Sequence, residues 1–195
     1  ELELDAVSEV PRYYVCNAYG VCGIYSAPGT AVKEAYDTSG IVTNDRGVTV
    51  WLKGNRVSRN QIMAIKEESV TEQKNSLAVC LDNILRHAGI TRNTEYDLAQ
   101  GKTATTILSE NMTGVQVLDL SGCTLDAVLY YVNQDIPVLA ILEDGEAVLV
   151  TGFNEFNVVI MEPSTGKLYK KGMNDATAWF AENGNHFITY MRTEN

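Results

Sequence analysis

The sequence predicts an α+β protein: a small ββαββ module, residues 1–66, ahead of a larger unit, residues 67–195, whose helices form a layer packed on an antiparallel sheet. Three observations carry this reading. Two turn-bounded strand pairs flank a short helix within the first 52 residues. Apolar stripes at helical spacing fill the middle of the chain, and three closely spaced strands follow Ile136.

Tyr13-Tyr14-Val15-Cys16 is aromatic and β-branched, and after a Gly-containing turn Val21-Cys22-Gly23-Ile24-Tyr25 completes a hairpin. That hairpin sets Cys16 opposite Cys22, either as a disulfide or as two small apolar fillers. Ser26 to Gly29 breaks the pattern, and Thr30 to Tyr36 fits a short helix. Ile41-Val42-Thr43 and Val48 to Leu52 flank Asn44-Asp45-Arg46-Gly47, a second hairpin signal. Arg56 to Gln73 is mostly polar apart from Ile62-Met63-Ala64-Ile65 and reads as a connector containing the domain boundary. Trp51, Lys53 and Arg56 are a candidate contact surface between the two units.

Beyond the connector, Leu77, Val79 to Leu81, Ile84, Leu85 and Ala88 form a helical stripe that stops at Gly89. Thr103 to Met112 is a second helix, Val115 to Leu120 a strand, and Thr124 caps a third helix over Leu125 to Asn133. Strands follow at Pro137 to Leu142, Ala147 to Phe153 and Asn157 to Met161. A helix over Asp175 to Glu182 and a strand over Phe187 to Met191 close the chain. Tyr130, Tyr131, Trp179 and Phe180 sit in helical settings and read mostly as core, as do the buried thiols Cys80 and Cys123.

Composition narrows the function. With 25 acidic against 15 basic residues the net charge is −10, which argues against nucleic acid, because phosphate binding needs clustered Lys and Arg. The longest apolar run, Ile136 to Leu142, is far short of the roughly 20 residues that span a bilayer. Glu1 to Asp5 is acidic and lacks the apolar core of a signal peptide. His87 and His186 are the two imidazoles available to any Cys-His, Ser-His or zinc site. His87 is placed to complement the dipole at its helix C-terminus, and His186 sits at a turn edge.

Two stretches resemble the C39-like branch of the papain-like cysteine peptidases, over about two-thirds of the chain. Ser76-Leu77-Ala78-Val79-Cys80-Leu81-Asp82-Asn83-Ile84-Leu85-Arg86-His87-Ala88-Gly89 fits the family's first helix, Cys-Gly-Pro-Ala-Ala-Leu-x-x-x-Leu-x-x-x-Gly, without a gap. Gly145 to Phe153 fits Gly-His-x-Val-Val-Val-x-Gly-Tyr, and Glu162-Pro163 stands where the next strand ends in Asp-Pro. The resemblance therefore places Ser76 at the nucleophile, Glu146 at the general base and Glu162 at its orienting aspartate.

All three catalytic positions have changed at once. A papain-type thiol at a helix N-terminus, beside an imidazolium, becomes a thiolate. A serine hydroxyl instead needs a well-placed base of near-neutral pKa, and a solvated carboxylate titrates near 4.3, roughly. The expectation is a pseudoenzyme: a peptide- or protein-binding or scaffolding module of a larger bacterial envelope or secreted protein, with Ser76, Glu146 and Glu162 lining the old cleft. No cofactor and no metal are expected, although Glu146 and Glu162 would also suit a weak oxygen-rich cation site or a glycosidase-like pair. The competing expectation is an active cysteine or serine hydrolase with a rearranged site, in which Cys80, one turn from Ser76, is the outside candidate nucleophile.

Overall fold

A computed structural model describes residues 10–54, 58–60, 62, 65, 67 and 75–193. Glu1 to Asp5, Arg56, Met63 and Ala64 lie outside the described residues.

The first module is built from β1 (Tyr13–Cys16), β2 (Cys22–Tyr25), α1 (Pro28–Thr38), β3 (Ile41–Asn44) and β4 (Thr49–Leu52), with antiparallel sheet order β2-β1-β3-β4. Asn17 shapes the first hairpin, its side chain accepting from the N–H groups of Tyr19 and Val21. Cys16 and Cys22 are direct register partners and form a disulfide, which resolves the alternative left by the sequence. Pro28 begins α1 two residues earlier than the apolar pattern implies; its fixed φ and missing N–H suit the first turn of a helix. Gly29 is required there, because a Cβ would sit 2.7 Å from the carbonyl oxygen of Ser121.

The larger unit contains α2 (Ser76–His87), α3 (Glu95–Ala99), α4 (Ala104–Asn111), β5 (Val115–Asp119), α5 (Leu125–Asn133), β6 (Val138–Ile141), β7 (Ala147–Phe153), β8 (Asn157–Glu162), β9 (Lys167–Gly172), α6 (Met173–Glu182) and β10 (His186–Arg192). Its six strands follow the order β5-β10-β6-β7-β8-β9, with antiparallel neighbours throughout. Thr103 and Thr124 cap α4 and α5, accepting from Thr106 N–H and Ala127 N–H. Every residue of β7 is buried, the mark of a central strand covered on both faces.

The sequence reading missed two elements, α3 and β9. α3 is only five residues long and buries just Asp97, so no apolar stripe announces it. β9 is an edge strand of Lys167-Leu168-Tyr169-Lys170-Lys171-Gly172 with no fully buried position, so its alternation is hidden.

One hydrophobic core runs through both sheets, joining Tyr13, Val42 and Val50 to Leu125, Val128 and Tyr131. Polar contacts cross the same seam. The Trp51 indole N–H donates to the Ala127 carbonyl at 2.9 Å, and the Tyr131 hydroxyl donates to the Val50 carbonyl at 2.8 Å. Lys53 lies over the Tyr36 ring and lines the seam together with Asp126, Ala127 and Tyr130. Within the connector, Arg59 and Ile62 are pinned to the sheet. β6 pairs no further along β7 than Val150, and beyond that point Arg59 exchanges backbone hydrogen bonds with Phe153 while Ile62 N–H donates to Thr151. Ile62 and Ile65 are both buried.

Candidate functional site

The N-terminus of α2 meets the start of β7. Asn75 is the cap of α2, accepting from Leu77 N–H at 2.9 Å, so Ser76 is the first helical residue rather than the cap that serine at a helix start suggests. The Ser76 hydroxyl is thereby free to leave the helix, and it accepts the backbone N–H of Ala147 at 2.9 Å. Ala147 opens β7 directly after Glu146, whose N–H is held by the Asp144 side chain in the preceding turn. Glu146 is exposed and Ser76 half-buried.

Glu162 ends β8. Extending the Leu149–Met161 pairing by one residue sets it level with Val148, next to Ala147. The structure thus gathers Ser76, Glu146 and Glu162 at one end of the β7–β8 pair. The Glu162 carboxylate faces its own turn, accepting from the Ser164 hydroxyl, the Ser164 N–H at 3.2 Å and the Thr165 hydroxyl at 3.0 Å. The Ser164 hydroxyl contributes most to holding this carboxyl below the usual glutamate range.

Cys80 lies one turn along α2, fully buried. Burial pushes its thiol far up, and the nearby carboxylates of Glu146 and Glu162 push it further. This is the reverse of the environment that makes a nucleophilic thiolate. Cys123 is likewise raised, to about 12, chiefly by burial.

Neither histidine is hydrogen-bonded to Ser76 among the described residues. His87 ends α2, with its Nε2–H donating to the Asp135 carbonyl at 2.7 Å. His186 opens β10 opposite Ile141, which in turn pairs with Ala147. His186, Ile141 and Ala147 therefore form one row across three strands, spanning about 10 Å at ordinary strand spacing.

Among the described residues, clefts lie apart from this row. One, of about 680 Å³, is lined by Asp126, Leu129, Phe153, Glu155, Phe156 and Met173. A smaller one, of about 280 Å³, opens at the seam beside Tyr36, Trp51 and Tyr130. Sequence reasoning did not single out the larger cleft. Its one legible sign was Phe156, an aromatic in a turn, which is 72% exposed. Among the described residues, no group of three or more His, Cys, Asp or Glu side chains is arranged to hold a metal, and no helix is long and apolar enough to cross a membrane.

No family model matches the chain, and no curated protein matches it. A solved structure does: the crystal structure of a "putative C39-like peptidase" from Bacillus anthracis, at TM-score 0.59 and 12% sequence identity, covering 71% of this chain and 100% of the other. The chain has a C39-like α+β fold.

Proposed function

We propose that this chain is a catalytically inactive peptidase-like domain that binds a peptide or protein segment, as part of an extracellular or envelope protein. One observation carries the reading. The Ser76 hydroxyl, which the sequence resemblance sets at the nucleophile, is engaged by the Ala147 amide, and Glu146, which the resemblance sets at the base, is an exposed carboxylate. A hydroxyl needs a base of near-neutral pKa, and the inert Cys80 supplies no substitute. The 680 Å³ cleft, with its mixed acidic and apolar lining, supports peptide binding. The Cys16–Cys22 disulfide supports an oxidising compartment.

A thiol-directed epoxide and a serine-directed fluorophosphonate test the reading, alongside a peptide-library binding screen. The expected result is no covalent labelling of native protein and retention of a peptide subset. Stoichiometric labelling at Ser76 or Cys80 overturns it. A second reading, an active serine hydrolase with a rearranged site, has the His186–Ile141–Ala147 row in its favour. It requires fluorophosphonate labelling of Ser76 that is lost in His186→Gln.

A further inference from the structure

We propose that the cleft between the end of α2, the α4–β5 turn and β10 binds a small organic carboxylate carried on a short apolar stem. This cleft has a volume of about 510 Å³ and is lined by His87, Ile90, Met112, Val115, Tyr190 and Arg192 among others. Its volume suits a small ligand. Its lining holds no acidic side chain, although the chain as a whole carries a net charge of −10.

The polar end is built by two elements. Tyr190 and Arg192 lie two apart on β10 and so share a face. They meet His87 at the last residue of α2. One guanidinium nitrogen of Arg192 is fixed by the Gln134 carbonyl, which orients the group. Ile90, Met112 and Val115 supply the apolar wall.

His87 gives the second, independent observation. Its side chain is only 7% exposed, and its Nδ1 is buried without a hydrogen-bond partner. Nε2 donates to the Asp135 carbonyl, so that nitrogen carries a proton in either charge state of the ring. Asp135 is not among the residues lining the cleft. A buried orphan nitrogen in the wall of a cleft calls for a partner. In the doubly protonated ring Nδ1–H is a donor that a carboxylate oxygen in the cleft satisfies. Among the described residues, Asp135 Oδ2 lies 3.7 Å from Nε2 and is bridged to Arg59, and Tyr190 and Arg192 of β10 line the cleft with His87.

The test titrates the protein with sodium hexanoate while following the imidazole resonances by NMR, with acetate and hexanol as comparison ligands. The expected result is saturable movement of the His87 resonances by hexanoate and weaker binding of both comparison ligands. Arg192→Met, with folding checked by circular dichroism, weakens hexanoate by at least about tenfold. Should that variant not fold, Tyr190→Phe with the same readout takes its place, with weakened hexanoate binding expected. Hexanol binding as tightly as hexanoate, an unmoved His87, or a folded variant with unchanged affinity would each overturn the proposal.

Discussion

The Ser76 hydroxyl accepts the backbone N–H of Ala147 at 2.9 Å, and that bond ties the first residue of α2 to the first residue of β7. A group that a catalytic reading would treat as a nucleophile here acts as a strut. Ser76→Ala leaves the Ala147 amide to find water at a half-buried site, and the expected loss is about 1 kcal/mol of stability by urea denaturation. Peptide binding should survive the change. A much larger loss would mean that the hydroxyl supports more than this one amide.

Trp51 predicts how the two sheets unfold. It is 3% exposed, donates to Ala127 and packs against Tyr36 and Tyr130. Trp51→Ala removes both the filler of the seam and its hydrogen bond, so the expected destabilisation is about 3–5 kcal/mol. Because one core runs through both sheets, near-ultraviolet and far-ultraviolet signals should fall together. Separate transitions would show two independent units.

Much of this architecture was legible because burial writes itself into apolar spacing. Leu81, Ile84 and Leu85 announce α2, and the run from Ala147 to Phe153 announces a central strand. The signal fails where side chains meet solvent, as along the lysines of β9, or where an element is too short to carry a period, as in α3. Ser76, Glu146 and Glu162 could be set at corresponding positions by resemblance, but the direction of each side chain depends on neighbours remote in sequence. The Ala147 amide takes Ser76, and the Ser164–Thr165 turn takes Glu162. The His87 cleft left no trace in local pattern, since β10 lies about a hundred residues downstream of α2.

The disulfide closes a short loop, so its stabilisation of the hairpin is modest. For a loop of this size the chain-entropy account gives about 2 kcal/mol. Cys16→Ser with Cys22→Ser should lower the urea midpoint by a corresponding amount and reduce the protection of the six-stranded sheet's slowest amides in step. Unchanged protection there, with a lowered midpoint, would show that the hairpin opens separately from that sheet.

Glu162 sets a pH dependence with a definite sign. Its folded pKa is depressed by the Ser164 and Thr165 hydrogen bonds, so its contribution is present above the unfolded value and is lost as pH falls through the folded one. Glu162→Gln should therefore be less stable than the parent at neutral pH, with the gap closing as the solution is acidified below the ordinary glutamate range. A gap that widens in acid would contradict this. Paired thermal melts across that window provide the measurement.

Arg59, Asn60 and Ile62 fill a notch in the larger sheet. A piece of the protein begun at residue 67 would expose the backbone groups of Thr151 and Phe153 that Ile62 and Arg59 now satisfy. Gly152, where a Cβ would lie 2.5 Å from the Asn60 carbonyl oxygen, would then border an open slot shaped for an extended chain. Such a slot invites strands from other molecules, so the excised piece should be sticky and prone to aggregate. Arg59, Asn60 and Ile62 thus act as a built-in plug, and the boundary at which the protein can safely be cut lies upstream of them.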